Sequence, residues 1–318
     1  MRETQGNEQT AAQGEECFER ERPPERAVLI VNRKARRGRE ALPQAQDGLR
    51  ANGVALEATH VLKSPKHLPD VLRESVAQGA KLIVVGGGDG SLRTAAEVLA
   101  YQDVTLGVLP LGTVNDFARN LGITPTVEAA CKVIAEGHVA RIDLGQANDR
   151  YFVITASLGF SAMTQHVLTP RQKKLLGPLG YVAASALALR RLRDLRITVR
   201  SEQGDERLTV MQAGVINGHS WMGGAFEIPG VDLASGRLAF YAVPPQSKLA
   251  LLRIVYNLRS GRFFDTPGLR AFTTRDVSVE TEKPQPLVLD GDLFGKTPVR
   301  FRVASDALKV CVPAAAVG

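Results

Sequence analysis

From Ala27 onward, short and wholly apolar runs alternate with stretches of helical spacing. Ala27–Asn32 (AVLIVN) is apolar at consecutive positions, the pattern of a strand buried on both faces. Val54–Leu62, Lys81–Val85 (KLIVV) and Thr105–Leu109 follow as three further strands. A basic loop, Arg33–Arg39, precedes a helical stretch that ends near Asn52. Leu68–Gln78 places Leu68, Val71, Leu72, Ser75 and Val76 at helical spacing and stops at Gly79. Ser91–Leu99 does the same with Leu92, Ala95, Ala96 and Leu99, and shorter helices are predicted near Asn115–Leu121 and Val127–Glu136. Strands alternating with helices predict a doubly wound parallel sheet, whose ligands gather at the carboxyl ends of the strands.

After Arg141 the pattern changes to strands, at 151–156, 195–200, 208–215, 237–243, 275–280, 287–290 and 299–303. Turn signals at Asn148-Asp149, Gly204-Asp205 and Ser235-Gly236 separate them, so an antiparallel β domain is expected, with helices near 178–193 and 247–259. The predicted organisation is a disordered acidic tail over 1–25, an α/β domain over 26–140 and a β-rich domain over 141–303. Residues 304–318 form a C-terminal segment free to return to the first domain.

Composition narrows the classes. At 318 residues and 44% hydrophobic, the chain has the length for about two domains and enough apolar matter to fill them. Cys17, Cys131 and Cys311 stand far apart with no CxxC, which argues against a disulfide scaffold or a cysteine zinc site and fits a reducing cytoplasm. The longest uncharged apolar stretch, Tyr181–Leu189, falls short of the roughly 20 residues of a membrane span. Residues 1–25 carry seven Glu and three Arg without the apolar run of a signal peptide. The five histidines form no pair at metal spacing.

The net charge of +7 is local. Residues 171–200 hold Arg171, Lys173, Lys174, Arg190, Arg191, Arg193, Arg196 and Arg200 against Asp194, and the rest of the chain sums to zero. This patch flanks the helical run Tyr181–Arg193, an arrangement suited to an anionic bilayer or to an ordinary basic helix end. Tyr181 is the one aromatic residue within it, too few for base stacking, so nucleic acid is not expected.

Two loops carry the candidate chemistry. Gly86-Gly87-Gly88-Asp89-Gly90-Ser91 lies between a buried strand and a helix, where backbone amides can form a nest for phosphate oxygens and Ser91 can donate a hydroxyl. Asp89 is an odd residue to aim at bare phosphate; it suits Mg²⁺, a hydroxyl nucleophile or a helix cap. The loop lacks the Lys of a Walker motif and the spacing of a dinucleotide fingerprint. Pro110-Leu111-Gly112-Thr113-Val114-Asn115-Asp116-Phe117-Ala118-Arg119 follows the next strand and reaches the same sheet edge. Gly295-Lys296-Thr297 imitates the end of a Walker loop, but Asp290 stands where its first glycine belongs.

The pair GGGDGS and PLGTVNDFARNLG resembles the diacylglycerol-kinase catalytic domain, shared by bacterial lipid kinases, sphingosine kinases and ceramide kinases and related in fold to NAD kinases and phosphofructokinases. Arg141-Ile142-Asp143-Leu144-Gly145, Ser157-Leu158-Gly159-Phe160, Asn217-Gly218 with Gly223-Gly224 and Pro229, and Leu289-Asp290-Gly291-Asp292 follow in the family's order, so the resemblance spans about 27–303. It implies an ATP-dependent lipid kinase, with ATP and Mg²⁺ in an interdomain cleft. Asn32, Gly87, Gly88, Asp89, Gly90, Ser91, Leu92, Gly112, Thr113, Asn115 and Asp116 would then bind the nucleotide, and Asp292 would be the general base beside Asp89. An NAD kinase-like enzyme and a weakly catalytic nucleotide-binding module are the alternatives.

The chain departs from the family pattern at Asn32-Arg33, at Arg93-Thr94, at Asp292 in place of Glu, and at Ala234-Ser235-Gly236, where bacterial members carry the Asp-Asp-Gly of a structural metal site. No such metal is carried over. The partners implied are a lipid substrate and an anionic membrane reached through 171–200, with a homodimer left open, in a cytoplasmic and reversibly membrane-associated protein.

Overall fold

In the computed structural model, residues 21–35, 38–160 and 194–314 are described. They divide into two compact units, the first ending at Ile142 and resuming at Asp306, the second running from Asp143 to Ser305.

In the first unit the apolar runs become strands β1 (Arg26–Asn32), β2 (Ala55–Leu62), β3 (Leu82–Gly87) and β4 (Thr105–Pro110). All of β3 and β4, and β1 beyond Arg26, are buried, as consecutive apolar residues require. Their order is β2-β1-β3-β4, all parallel, and the C-terminal end of β18 (Val299–Val312) joins β4 in the same sense. The connections of β1 and β3 leave in opposite directions, which opens the sheet's switch point between the ends of those two strands.

Helices α1 (Gly38–Ala51), α2 (Leu68–Ala77), α3 (Asp89–Leu99), α4 (Asp116–Asn120) and α5 (Val127–Glu136) connect the strands. Helix α1 buries Ala41, Ala45 and Leu49, spaced one turn apart, and packs on α5 through Cys131. Helix α3 buries Leu92, Ala95, Ala96 and Leu99, the face its spacing predicts. Residues 21–25 depart from the tail expectation. Glu21 pairs with Val139 and the Glu25 carbonyl accepts from Ala55 N–H, so this stretch belongs to the first unit.

The second unit is antiparallel. Strands β7 (Thr155–Gly159), β10 (Gln212–Ile216), β13 (Leu238–Val243), β14 (Arg270–Thr274), β16 (Pro286–Leu289) and β17 (Asp292–Lys296) form one sheet in the order β14-β13-β10-β7-β16-β17. The start of β18, with β15 (Asp276–Thr281), β8 (Leu195–Ser201) and β9 (Gly204–Val210), forms another. Strands β5 (His138–Ala147) and β6 (Arg150–Phe152) make a hairpin, and β11 (Ser220–Trp221) pairs with β12 (Phe226–Glu227). Phe152, Val199, Phe240, Leu289 and Phe301 are among the side chains of the common core. Helix α6 (Lys248–Arg259) carries its cap at Ser247.

The single strand expected over 151–156 is two strands, because the chain changes sheets at Val153-Ile154. Three buried amides there find one acceptor: Val153, Ile154 and Thr155 donate to the Asp290 carboxylate at 2.7, 2.8 and 2.9 Å. Asn217, fully buried, donates through Nδ2 to the carbonyls of Val153 and Asp143 at 2.8 and 3.1 Å, and its amide reaches the Ile154 carbonyl. Buried backbone groups need such partners wherever a ladder is interrupted. The strand expected over 208–215 likewise divides at Met211, whose carbonyl accepts from Phe160 N–H while its own N–H donates to Val243.

The Asp290 carboxylate generates a prediction. Asp290→Ala leaves three buried amides without an acceptor and should destabilise the second unit by about 2–4 kcal/mol. Urea unfolding followed by the lone Trp221, which lies in that unit, reads the loss; a midpoint equal to the parent's would refute the role.

Candidate active site

Strand β1 delivers Asn32 to the carboxyl edge of the parallel sheet. The side chain is nearly buried, and its two ends do different work. Oδ1 accepts from Lys34 N–H at 3.0 Å, closing the turn that follows, and Nδ2 donates to Ser91 Oγ at 3.1 Å across the switch point. The end of the first strand is thereby tied to the start of α3.

The first glycine loop runs Gly86 to Gly90. Ser91 and Leu92 N–H groups both reach the Gly88 carbonyl, and no side chain caps α3 at Gly88. The amides at the start of α3 are therefore not covered by a side-chain cap of their own helix. The second loop folds around Asn115, which sits in the left-handed region at φ 55°. Its Oδ1 accepts from Gly112 N–H at 2.9 Å and its Nδ2 donates to the Gly112 carbonyl at 3.3 Å, so side chain and backbone close a small ring. Asparagine tolerates this backbone conformation better than most residues.

The two loops touch backbone to backbone. A Cβ on Gly112 would stand 2.7 Å from the Gly88 Cα, and one on Gly88 would stand 3.2 Å from the Gly112 Cα. Leu111 N–H adds a hydrogen bond to the Gly87 carbonyl at 2.8 Å.

Asp89 completes the junction. Its Oδ2 accepts from Asn115 N–H at 2.9 Å and its Oδ1 from Phe117 N–H at 3.2 Å. Burial raises the Asp89 carboxyl above its ordinary 3.8, while the amides of Phe117, Asn115, Asp89 and Asp116 pull it partway back. A carboxyl raised on folding makes the fold less stable as pH rises from 3.8 through the raised value. The expectation of a metal ligand or nucleophile-orienting group thus meets a carboxylate already engaged on both oxygens. In this structure both Asp89 oxygens accept from the second loop.

The remaining candidates separate clearly. Gly87, Gly88, Gly90, Ser91, Gly112 and Asn115 lie on the two joined loops, and Thr113 is exposed beside them. Asp116 is nearly buried at the start of α4, with its carbonyl accepting from Asn120. Leu92 turns its side chain, fully buried, onto the core face of α3, and its amide donates to the Gly88 carbonyl. Asp292 belongs to the second unit, exposed at the start of β17 and paired with Leu289 across the Asp290-Gly291 turn.

Asp290 and Asn217 are polar anchors whose roles the sequence motifs containing them do not reveal. The signal for Asp290 is its place before glycine in a tight hairpin; its backbone stands at φ 45°.

Among the described residues no group of three or more His, Cys, Asp or Glu could hold a metal ion. The Asp232–Arg237 turn, where the family metal was not carried over, is closed by hydrogen bonds. Ala234 N–H donates to Asp232 Oδ1, Ser235 Oγ donates to the Asp232 carbonyl, and Gly236 N–H donates to Asp143 Oδ2. Of the basic segment, Arg196 pairs with Glu282, and Arg200 pairs with Glu280 and Asp205. Residues 171–193, with Arg190, Arg191 and Arg193, lie outside the described residues. No helix among the described residues is long and apolar enough to cross a membrane.

Comparison with known proteins follows the same division. Residues 26–147 match the diacylglycerol kinase catalytic domain, and residues 154–312 match the YegS C-terminal NAD kinase beta sandwich-like domain. A diacylglycerol kinase of Mycobacterium tuberculosis is 31% identical over 256 residues, 76% of this chain and 80% of its own. One from Staphylococcus haemolyticus is 28% identical over 306 residues, 94% of this chain and 85% of its own. A solved Bacillus anthracis protein shares the fold at a TM-score of 0.77, with 23% identity over 92% of this chain and 96% of that one.

The Asp89 bridge is open to direct measurement. In Asp89→Asn the side-chain NH₂ must face one of two amide donors, a loss of about 1–3 kcal/mol locally. Hydrogen–deuterium exchange at Asn115 and Phe117 should accelerate by roughly ten- to a hundredfold. Undiminished protection at both amides would show that the loops hold together without this carboxylate.

Proposed function

The chain belongs to the diacylglycerol-kinase catalytic-domain family, and on that premise we propose that it is a phosphotransferase that moves the γ-phosphate of ATP to a hydroxyl of diacylglycerol or a related lipid. The observation that carries this reading is the junction of two glycine loops at Gly88 and Gly112, bridged by Asp89 at the carboxyl edge of the parallel sheet.

The loops fit a triphosphate in kind. Glycines at 87, 88 and 112 keep side chains away, so backbone amides can approach anionic oxygens closely. The start of α3 adds the positive end of a helix dipole. Asn32 and Asn115 fix the two loops from either side, and the exposed Thr113 hydroxyl remains available for a phosphate oxygen. Bound Mg-ATP would supply the phosphoryl group, with Mg²⁺ neutralising its charge. In this proposal the ion is carried in with the triphosphate.

In this proposal Asp292 takes the proton of the lipid hydroxyl. The Asp290-Gly291 turn, clamped to the Val153–Thr155 amides, would hold Asp292 in place. Such transfer depends mainly on positioning and charge neutralisation, which is what the fixed loops provide.

Two substitutions test the assignments. Asp292→Asn should lower turnover by roughly two to four orders of magnitude, the range for loss of a general base, with ATP still bound. Turnover close to the parent's would remove Asp292 from the mechanism. Gly112→Ala forces the two loops apart and should weaken ATP binding by about tenfold or more, as measured by calorimetry. The activity itself is read with radiolabelled ATP offered separately with NAD, diacylglycerol, sphingosine and ceramide in mixed micelles. Label found only in NADP would overturn the lipid assignment, and Mg-ATP binding with no transfer at all would identify a nucleotide-binding module.

A further inference from the structure

Helix α6 shows an unusual face. Ile254 is turned inward, and Phe263, just beyond the helix, packs against Tyr241 and Phe264. On the outer side Val255 is 44% exposed and Tyr256 is 70% exposed, next to each other in the chain. They are two of the most exposed large apolar side chains among the described residues. Arg253 and Arg259 are exposed on either side of this pair, and Arg262 follows the helix.

Within the helix and the three residues after it the charge has one sign. Residues 248–262 contain Lys248, Arg253, Arg259 and Arg262 and no Asp or Glu. Two acids lie nearby. Glu227 on β12 has its Oε2 3.7 Å from where a Cβ on Gly261 would stand, and Asp265 is exposed beyond Phe264. Both sit at the C-terminal end, away from Arg253. At 12 residues the helix is about 18 Å long, so it can lie along a surface but not cross a bilayer.

We propose that α6 is a membrane-contact element that seats on an anionic lipid surface. Val255 and the Tyr256 ring enter the interface between headgroups and acyl chains, and Arg253 and Arg259 meet lipid phosphates. A tyrosine ring, apolar in body and polar at its tip, suits that depth. Exposed arginines beside it supply the electrostatic part, which decays within about 8 Å at physiological ionic strength. The inference rests on the lipid-kinase reading for the reason the chain visits a bilayer. It differs from the expected contact through 171–200 in placing the surface on another segment of the second unit.

The test uses the full chain and substrate-free vesicles, so it is independent of whether the chain phosphorylates lipid. The parent should co-sediment with vesicles of phosphatidylcholine containing phosphatidylglycerol, not with phosphatidylcholine alone, and should be released as salt rises. Val255→Asp with Tyr256→Asp, and separately Arg253→Glu with Arg259→Glu, should each lower the ratio of bound to free protein by about tenfold or more. Melting temperatures and ATP affinity equal to the parent's confirm that the variants are folded. Activity on a short-chain diacylglycerol below its micellar concentration should be unchanged while activity on vesicles falls. If both variants sediment like the parent, or only Arg190→Glu, Arg191→Glu and Arg193→Glu together abolish binding, α6 is not the contact. The inference also fails if the substitutions change the oligomeric state without lipid, since the face would then belong to a second copy. Vesicle binding that maps to α6 in a chain that labels no lipid would sustain this inference and defeat the kinase reading.

Discussion

An amide withdrawn from water must find an acceptor, and at two places in this protein one carboxylate satisfies that requirement for a distant stretch of chain. Asp89 collects the amides of Asn115 and Phe117; Asp290 collects those of Val153, Ile154 and Thr155. Each acid stands immediately before a glycine, and each fixes a segment that has left regular secondary structure. Charge-assisted bonds of this kind are stronger than neutral ones, and the low local dielectric that burial brings makes them stronger still. The same burial disfavours the ionised form, which is why the Asp89 carboxyl is raised even among several donors.

The two clamps serve different ends. The first makes one rigid surface out of two loops that the parallel sheet merely brings to the same edge. Asn32 extends that surface to the first strand through Ser91, so three strand ends act as one body. The second clamp lets the chain pass from one sheet to another without stranding backbone groups, with Asn217 providing donors for the carbonyls on the same stretch. A β-sandwich needs such crossings, and each is a place where ladder hydrogen bonds must be replaced.

The parallel unit was legible in the sequence because three of its strands, β1, β3 and β4, are buried on both faces and so are apolar almost throughout. The glycine loops were legible because four glycines in five residues leave little for a side chain to do. Less of the β unit could be read. Tyr151-Phe152-Val153-Ile154 is continuously apolar, and the partner that breaks it, Asp290, lies 137 residues from Val153. The edge strands β14 and β17 carry too many polar residues to show a buried face, and β18 runs on past the expected end at 303 through a polar Ser305-Asp306 step. Proximity in sequence to a phosphate loop says little about direction on a helix, and the Leu92 side chain turns into the core.

The contact between Gly88 and Gly112 bears on how such a site can drift over generations. Most tight packing can be repaired by a partner that shrinks when its neighbour grows. Here both neighbours are already glycine, and the atoms in contact are main-chain carbons. No side-chain substitution can make room for a Cβ at Gly112, and at Gly88 only a shift of the main chain could. The two loops therefore form a fixed gauge, and variation in what the protein accepts must accumulate on surfaces that still have side chains to exchange.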